Sequence, residues 1–145
     1  IRDIRTYILD LRPRHFVGQS LRDGLQRLVD EYRTNTMGEA ILRAAGDGLA
    51  NLPASHSTAL FHICQEALAN AAKHSHARRV EAVLSLADHE IVLLIRDDGT
   101  GFDPSAVGRG HGLDSLDARA RGLSGRCSIR SAAGQGTEIE LRVPV

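Results

Sequence analysis

At 145 residues the chain has the length of one domain with a core of its own. Its 42% hydrophobic and 25% charged residues are ordinary for a globular protein, and a net charge of zero removes the electrostatic case for nucleic acid or an anionic membrane surface. Aromatic residues make up 3% with no tryptophan, which argues against base-stacking platforms.

Residues 1–11 predict a helix with Ile1, Ile4, Ile8 and Leu11 on one stripe, ended by Pro13. The pattern opens mid-helix at Ile1, as expected of a piece cut from something longer. Ser20 is placed as the N-cap of a second amphipathic helix carrying Leu21, Leu25, Leu28, Val29 and Tyr32. Residues 39–45 read as an Ala-rich strand, followed by a turn at Gly46 and Gly48. Pro53 and Ser55 open a long helix reaching to about Ser75, with Leu60, Ile63, Cys64, Ala67, Leu68 and Ala71 on one arc. Residues 79–86 alternate, with Val80, Ala82, Leu84 and Leu86 on one face, and Asp88-His89 makes a turn. Residues 90–96 form a nearly continuous apolar run, as a central strand requires. A glycine-punctuated loop spans residues 102–111. A helix over 113–123 then turns Leu113, Leu116, Ala120 and Leu123 inward until Gly125 stops it. Residues 127–132 and 137–143 pair as a hairpin. Helices first and strands later suggest an α+β, two-layer α/β sandwich: a mixed, mostly antiparallel sheet covered on one face by helices.

Cys64 and Cys127 lack metal-ligand spacing and read as reduced core residues of a cytoplasmic protein. No apolar run is long enough to span a membrane, and no signal peptide is present.

Glu66, Asn70 and Lys73 fall on the side of the long helix away from its apolar arc, at spacings of four and three, flanked by His62 and His74. Asn70 offers a neutral oxygen suited to magnesium, a hard ion that keeps several waters. Glu66, one turn earlier, can accept a proton or orient a water. Lys73, the only lysine in the chain, can bring a point charge to phosphate. Taken alone, such spacing arises readily by chance, and a solvated helix face is its plainer reading.

Asp97-Asp98-Gly99-Thr100-Gly101 follows directly from the apolar strand. A carboxylate at a strand end, beside glycines that tolerate positive φ, can meet an edge-on amino donor such as adenine N6. The alternative is a simple Asp-Gly hairpin turn, but a long loop follows instead of a pairing strand. Gly110-His111-Gly112 precedes a helix start, where free N–H groups and the helix dipole suit phosphate; a flexible loop fits it equally well. Gly136-Thr137 reads most simply as part of a hairpin. The P-loop, the dinucleotide Gly-x-Gly-x-x-Gly pattern and a nucleophile elbow are all absent.

In this order the pieces resemble the GHKL ATPase superfamily, which includes sensor histidine kinases, gyrase and MutL. The helix resembles its N box, residues 97–101 its first glycine box (Asp-x-Gly-x-Gly), and residues 110–112 its second; the likeness covers roughly residues 20–145. Residues 1–5 followed by Leu11-Arg12-Pro13 are similar to the end of the second dimerisation helix of histidine kinases like NarX and DesK. Gly110-His111-Gly112-Leu113 and Arg119-Ala120 are also typical of that subclass, to which the oxygen- and redox-sensing DevS and DosT belong.

The resemblance implies a catalytic ATP-binding domain over residues 17–145, with residues 1–16 a dimerisation remnant. It implies that Asp97 holds the adenine amino group, that Gly99 and Gly101 shape the adenine pocket, and that Phe102 stands beside it. Asn70 would bind magnesium, with Glu66 reaching the metal through water or serving as base for the acceptor histidine. Lys73 and His74 would lie near phosphate. Gly110, His111, Gly112 and Leu113 would belong to the lid and phosphate approach, and Thr137 to the nucleotide site. The acceptor histidine of the family lies on a first dimerisation helix, and none of the seven histidines here has that context. The implied substrate is Mg-ATP. The implied partners are the phosphoacceptor domain of the same protein and a NarL-like response regulator, without nucleic acid or direct membrane contact. The domain alone is expected to be monomeric and the full-length protein a homodimer. An anti-sigma-type protein-serine kinase shares the boxes, and a non-catalytic docking module gated by nucleotide is the alternative from another class.

Overall fold

The computed structural model describes residues 20–46, 52–75, 77–100 and 113–145, without the side chains of residues 74, 75 and 113–115. The helix expected over 1–11, the turn at Gly48 and the loop over 102–111 lie outside the described residues. The elements are α1 (Leu21–Thr36), β1 (Glu39–Ala45), α2 (Ala54–Asn70) with a π-turn (Ala71–Ser75), β2 (Arg79–Ala87), β3 (Glu90–Asp97), α3 (Leu113–Arg121), β4 (Arg126–Ser131) and β5 (Thr137–Pro144). The strands form one five-stranded sheet in the order β1-β2-β3-β5-β4. β1 runs parallel to β2, and the other neighbours are antiparallel. This is the mixed, mostly antiparallel sheet expected, with the apolar β3 at its centre.

Ser20 caps α1: its hydroxyl accepts from the Asp23 N–H at 3.1 Å. The helix ends at Met37, whose left-handed φ of 63° returns its N–H to the Arg33 carbonyl. Leu21, Leu25, Leu28, Val29 and Tyr32 are buried, as the periodicity requires. Asp88 and His89 join β2 to β3 with φ of 53° and 61°, the two positive angles of a type I′ turn, here without glycine.

α2 is buried more completely than one apolar arc predicts. Phe61, Gln65 and Ala69 join the expected core residues because the helix lies between the sheet, α1 and α3. It starts after Pro53 without a side-chain cap. It also stops being α-helical at Asn70, where the Ala71 N–H is shared between the carbonyls of Ala67 and Leu68 and the wider π-turn begins. A π-turn advances fewer degrees per residue, so Lys73 leaves the line that an α-helical wheel draws through Glu66 and Asn70.

The end of α3 also differs from expectation. The residue in left-handed conformation is Ser124, at φ 61°, not Gly125. Gly125 donates to the Ala120 carbonyl and Ser124 to that of Arg121, the paired bonds of a Schellman stop. Glycine is needed at 125 for another reason: a Cβ there would run into the Arg142 carbonyl and Val143 of β5.

The two faces of the sheet are chemically distinct. Val80, Ala82 and Leu84 of β2, Ile91, Leu93 and Ile95 of β3, and Ile139, Leu141 and Val143 of β5 pack under the helices. The opposite face carries ion pairs, among them Arg43–Glu81 at 3.1 Å, Arg96–Glu138 at 3.4 Å, Arg130–Glu138, and Arg142–Glu90 at 2.9 Å. In register, Glu81, Arg96, Glu138 and Arg130 lie side by side across four strands with alternating sign.

Ser20→Ala should lower stability by about 1 kcal/mol by removing the α1 cap, read from the urea midpoint. An unchanged midpoint would mean that α1 is held by packing alone.

Candidate functional site

Chain geometry brings the ends of three strands and of α2 together. His56, near the start of α2, lies with Nε2 3.2 Å from the Pro144 carbonyl oxygen at the far end of β5. Seventeen helical residues span about 25 Å, and the eight residues of β3 about 26 Å. The C-terminal end of α2, with Asn70, is therefore delivered to the edge of the sheet where β3 ends at Asp97. The π-turn then leads directly into β2, whose start pairs with the end of β3 through Val80 and Asp97.

The two aspartates of that corner have different jobs. Asp98 Oδ1 accepts from the N–H groups of Arg78 and Arg79 at 2.8 and 3.0 Å, while the Asp98 N–H donates to the Arg79 carbonyl at 3.2 Å. Asp98 thus ties the entry of β2 to the exit of β3. Asp97 continues the parity of Ile91, Leu93 and Ile95 and so faces the helix-covered side. Its Oδ1 accepts from the Gly99 N–H at 2.9 Å, and its carboxyl also accepts from the Thr137 backbone. Burial raises its pKa above the usual carboxylate value, the two backbone donors oppose that rise, and the Asp98 charge adds to it.

The hairpin between β4 and β5 closes against this corner. Gly136 has φ 75°, and a Cβ there would collide with the Asp97 carbonyl. Gly134 donates to the Thr100 carbonyl at 2.5 Å. Thr137 stands opposite Asp97 in register, and Ser131 stands opposite Thr137. The Ser131 hydroxyl lies 2.9 Å from both the Gly136 carbonyl and Thr137 Oγ1. Gly136-Thr137, which looked like an ordinary hairpin, therefore forms the wall beside Asp97. An open groove of about 520 Å³ runs past this hairpin. Asp97 and Thr137 border it, but Arg96, Arg130 and Glu138 belong to the ion-paired outer face, so the half-buried polar row of Asp97, Thr137 and Ser131 is the better guide to the site.

Tyr32 of α1, read from the sequence only as core, lies close enough to the corner to feel it. Its pKa is pushed up to about 12, first by burial and then by the charges of Asp97 and Asp98.

On α2, the Asn70 side-chain nitrogen is buried without a hydrogen-bond partner among the described residues. A buried, unmatched amide costs about 1–3 kcal/mol, so an amide placed at this end of the sheet suits a polar ligand. Glu66 Oε1 accepts from Arg119 Nε at 3.1 Å, and Arg119 Nη1 lies 3.3 Å from His62 Nδ1. Arg119 is the contact that helical spacing could not reveal, because it comes from α3. Lys73 is exposed in the π-turn. Gly99 is placed at the Asp97 corner, whereas Gly101, Phe102, Gly110, His111 and Gly112 and the side chains of His74 and Leu113 lie outside the described residues. No cluster of three or more His, Cys, Asp or Glu that could hold a metal exists among the described residues. Magnesium of the kind held by one or two protein groups and substrate phosphates needs no such cage.

Residues 55–145 match the family described as "Histidine kinase-, DNA gyrase B-, and HSP90-like ATPase". The sensor histidine kinase LiaS of Bacillus subtilis (strain 168) is 33% identical over 144 residues, which cover 99% of this chain and 39% of that protein. An uncharacterized sensor-like histidine kinase of Chloroflexus aurantiacus is 34% identical over 151 residues, covering 99% of this chain and 25% of that protein. The chain thus spans well under half the length of these two relatives. The histidine kinase domain of the Erythrobacter litoralis EL346 blue-light activated histidine kinase shares the fold with a TM-score of 0.68 at 17% identity, covering 99% of this chain and 73% of that one. A second structure of that kinase gives 0.72 at 18% identity, covering 99% and 47%.

The raised pKa of Asp97 fixes the sign of a pH effect. The folded chain holds the Asp97 proton more tightly than the unfolded chain does. That contribution is complete below the ordinary value of 3.8 and is lost as pH rises through the raised one. Asp97→Asn should therefore raise the thermal midpoint at pH 7, with the gap closing below pH 3.8. Asp98→Ala should instead lower stability by about 1–3 kcal/mol by releasing two backbone N–H groups. Equal losses from both substitutions would sink the division of labour.

Proposed function

Because this chain belongs to the family of histidine kinase-, DNA gyrase B- and HSP90-like ATPases, we propose that it is the catalytic, ATP-binding domain of a sensor histidine kinase, over residues 17–145, with residues 1–16 the end of a dimerisation helix. The observation that carries the nucleotide reading is Asp97. It is a half-buried carboxylate held by two backbone N–H groups at the end of the central strand, walled by Gly136 and Thr137. A carboxylate so fixed is an acceptor for the adenine amino group, while Gly99, Gly101 and Phe102 complete that pocket and Thr137 lines it. Asn70 would hold the magnesium ion through its amide oxygen. The ion supplies charge neutralisation at the phosphates. Lys73 and His74 would serve the phosphates, as would Gly110, His111, Gly112 and Leu113 of the glycine-rich segment before α3.

The reaction is phosphoryl transfer to a histidine of the dimerisation domain. A bond forms between an imidazole nitrogen and the γ-phosphorus, and the bond from that phosphorus to the β–γ bridging oxygen breaks. ADP leaves and Glu66 takes the imidazole proton. Positioning and electrostatics do most of the work in such transfers. The subclass is that of NarX and DesK, on the strength of Leu11-Arg12-Pro13, Gly110-His111-Gly112-Leu113 and Arg119-Ala120. DevS- or DosT-like sensors are candidates within it. The phosphohistidine would supply a NarL-like response regulator, from a cytoplasmic homodimer. No helix among the described residues is long and apolar enough to cross a membrane.

Calorimetry should detect ATP binding to the chain, abolished by Asp97→Asn in a folded variant; unchanged affinity would end the adenine assignment. In the full-length protein, label from γ-labelled ATP should be acid-labile, as phosphohistidine is. Acid-stable label would indicate a protein-serine kinase, and no label a non-catalytic docking module.

A further inference from the structure

The contact between α2 and α3 at Glu66 has no part in the nucleotide pocket as described, yet it engages the proposed base. Arg119 uses two arms of its guanidinium: Nε donates to Glu66 Oε1 at 3.1 Å, and Nη1 lies 3.3 Å from His62 Nδ1. His62 and Glu66 are one turn apart on α2, so the two contacts fix the guanidinium plane against one helix face. The ion pair is 39% exposed at Arg119 and 28% at Glu66. At that exposure it is worth at most about 1 kcal/mol, too little for stability to be its main effect. What a planar two-point contact provides instead is orientation.

Nearby side chains sharpen the point. Arg121, the other arginine in the last turn of α3, is used within its own helix, 2.9 Å from Asp117. Arg119 alone of the pair crosses to α2. The backbone beneath it is anchored, because neighbouring Ala120 is fully buried and its carbonyl accepts the Gly125 N–H that stops the helix. Leu116, one turn earlier, is also fully buried. Arg119 thus reaches Glu66 from a fixed base.

We propose that Arg119 is a positioning residue for Glu66, holding the carboxylate from the neighbouring helix in the orientation from which it accepts the histidine proton. This rests on the assignment of Glu66 as base. It adds that α3, which begins directly after residues 110–112, sets the orientation of that base as well as following the glycine-rich segment.

The test uses the full-length protein and follows phosphohistidine formation at several Mg-ATP concentrations. Arg119→Ala should lower the maximal rate at least about 10-fold, a share of the 10²–10⁴ that a general base supplies. The KM for ATP should stay within about threefold, since the interaction serves the transfer step. Arg119→Lys should recover part of the rate, because an ammonium can meet Glu66 without spanning to His62. Arg119→Ala combined with Glu66→Gln should be no slower than Glu66→Gln alone, as residues acting as a unit are non-additive. The proposal is overturned by a full maximal rate in Arg119→Ala, by a raised KM with the rate kept, or by losses that multiply in the double variant. Should Arg119→Ala fail to fold, Arg119→Gln and Arg119→Lys carry the same comparison. Wild-type protein giving acid-stable label or none would strike the kinase reading itself. Wild-type phosphohistidine with an indifferent Arg119→Ala would strike only the role of Arg119.

Discussion

A half-buried carboxylate is stable at the end of a sheet only when the backbone around it cannot move. The corner formed by Asp97 and Asp98 meets that requirement with bonds from three directions. Asp98 fastens the entry of β2 through the N–H groups of Arg78 and Arg79. The Gly99 and Thr137 N–H groups hold Asp97 itself. The hairpin presses Gly136 against the Asp97 carbonyl at a distance no side chain allows. Burial still raises the Asp97 pKa, so this fixed frame is what keeps a carboxylate in place where its surroundings oppose its charge. Every other proposed contact is measured from this corner: Tyr32 feels its charge, and α2 ends beside it.

The division between the two faces of the sheet explains why that corner opens toward the helices. On the outer face, alternating arginines and glutamates pair with one another across β2, β3, β5 and β4. On the inner face, the apolar rows of β2, β3 and β5 run under α2 and give way to polar atoms only at the last residue pair, Asp97 and Thr137. Parity alone carries Asp97 to the covered side, because a strand cannot place Ile95 inward without also placing the residue two positions later there.

The strands to within about one residue, the Ser20 cap, the core arc of α2 and the order of the polar pieces were legible in the sequence, whereas the continuous apolar run of β3 hid the parity that turns Asp97 inward. These depend on periods of 2 and 3.6 and on local capping chemistry, which a single chain displays. What escaped depends on neighbours far along the chain. Phe61 and Ala69 fall outside the apolar arc that the sequence shows, and they are core because α2 lies between the sheet, α1 and α3. Gly125 looked like a helix stop, although Ser124 takes the left-handed turn and the glycine is there for the approach of β5. The π-turn after Asn70 is announced by no residue pattern, and it moves Lys73 off the helical wheel. Arg119, more than fifty residues from Glu66, has no periodic relation to it.

The polar groups left least comfortable are also the ones assigned to the ligand. Asp97 is charged against its surroundings, and the Asn70 amide nitrogen is buried and unmatched among the described residues. Neither arrangement helps the chain to fold, and both would be more stable replaced by something apolar or neutral of similar shape. Asp98, beside Asp97, also accepts from two backbone N–H groups, but it stands exposed, where water completes its solvation. The contrast between the adjacent aspartates is therefore one of burial, not of the number of donors. A carboxylate held at a cost in the free chain is one whose partner arrives with the ligand, as an amino donor would at Asp97. By that criterion Asp97 marks the site more firmly than the glycines around it, which serve the turns whether or not nucleotide is bound.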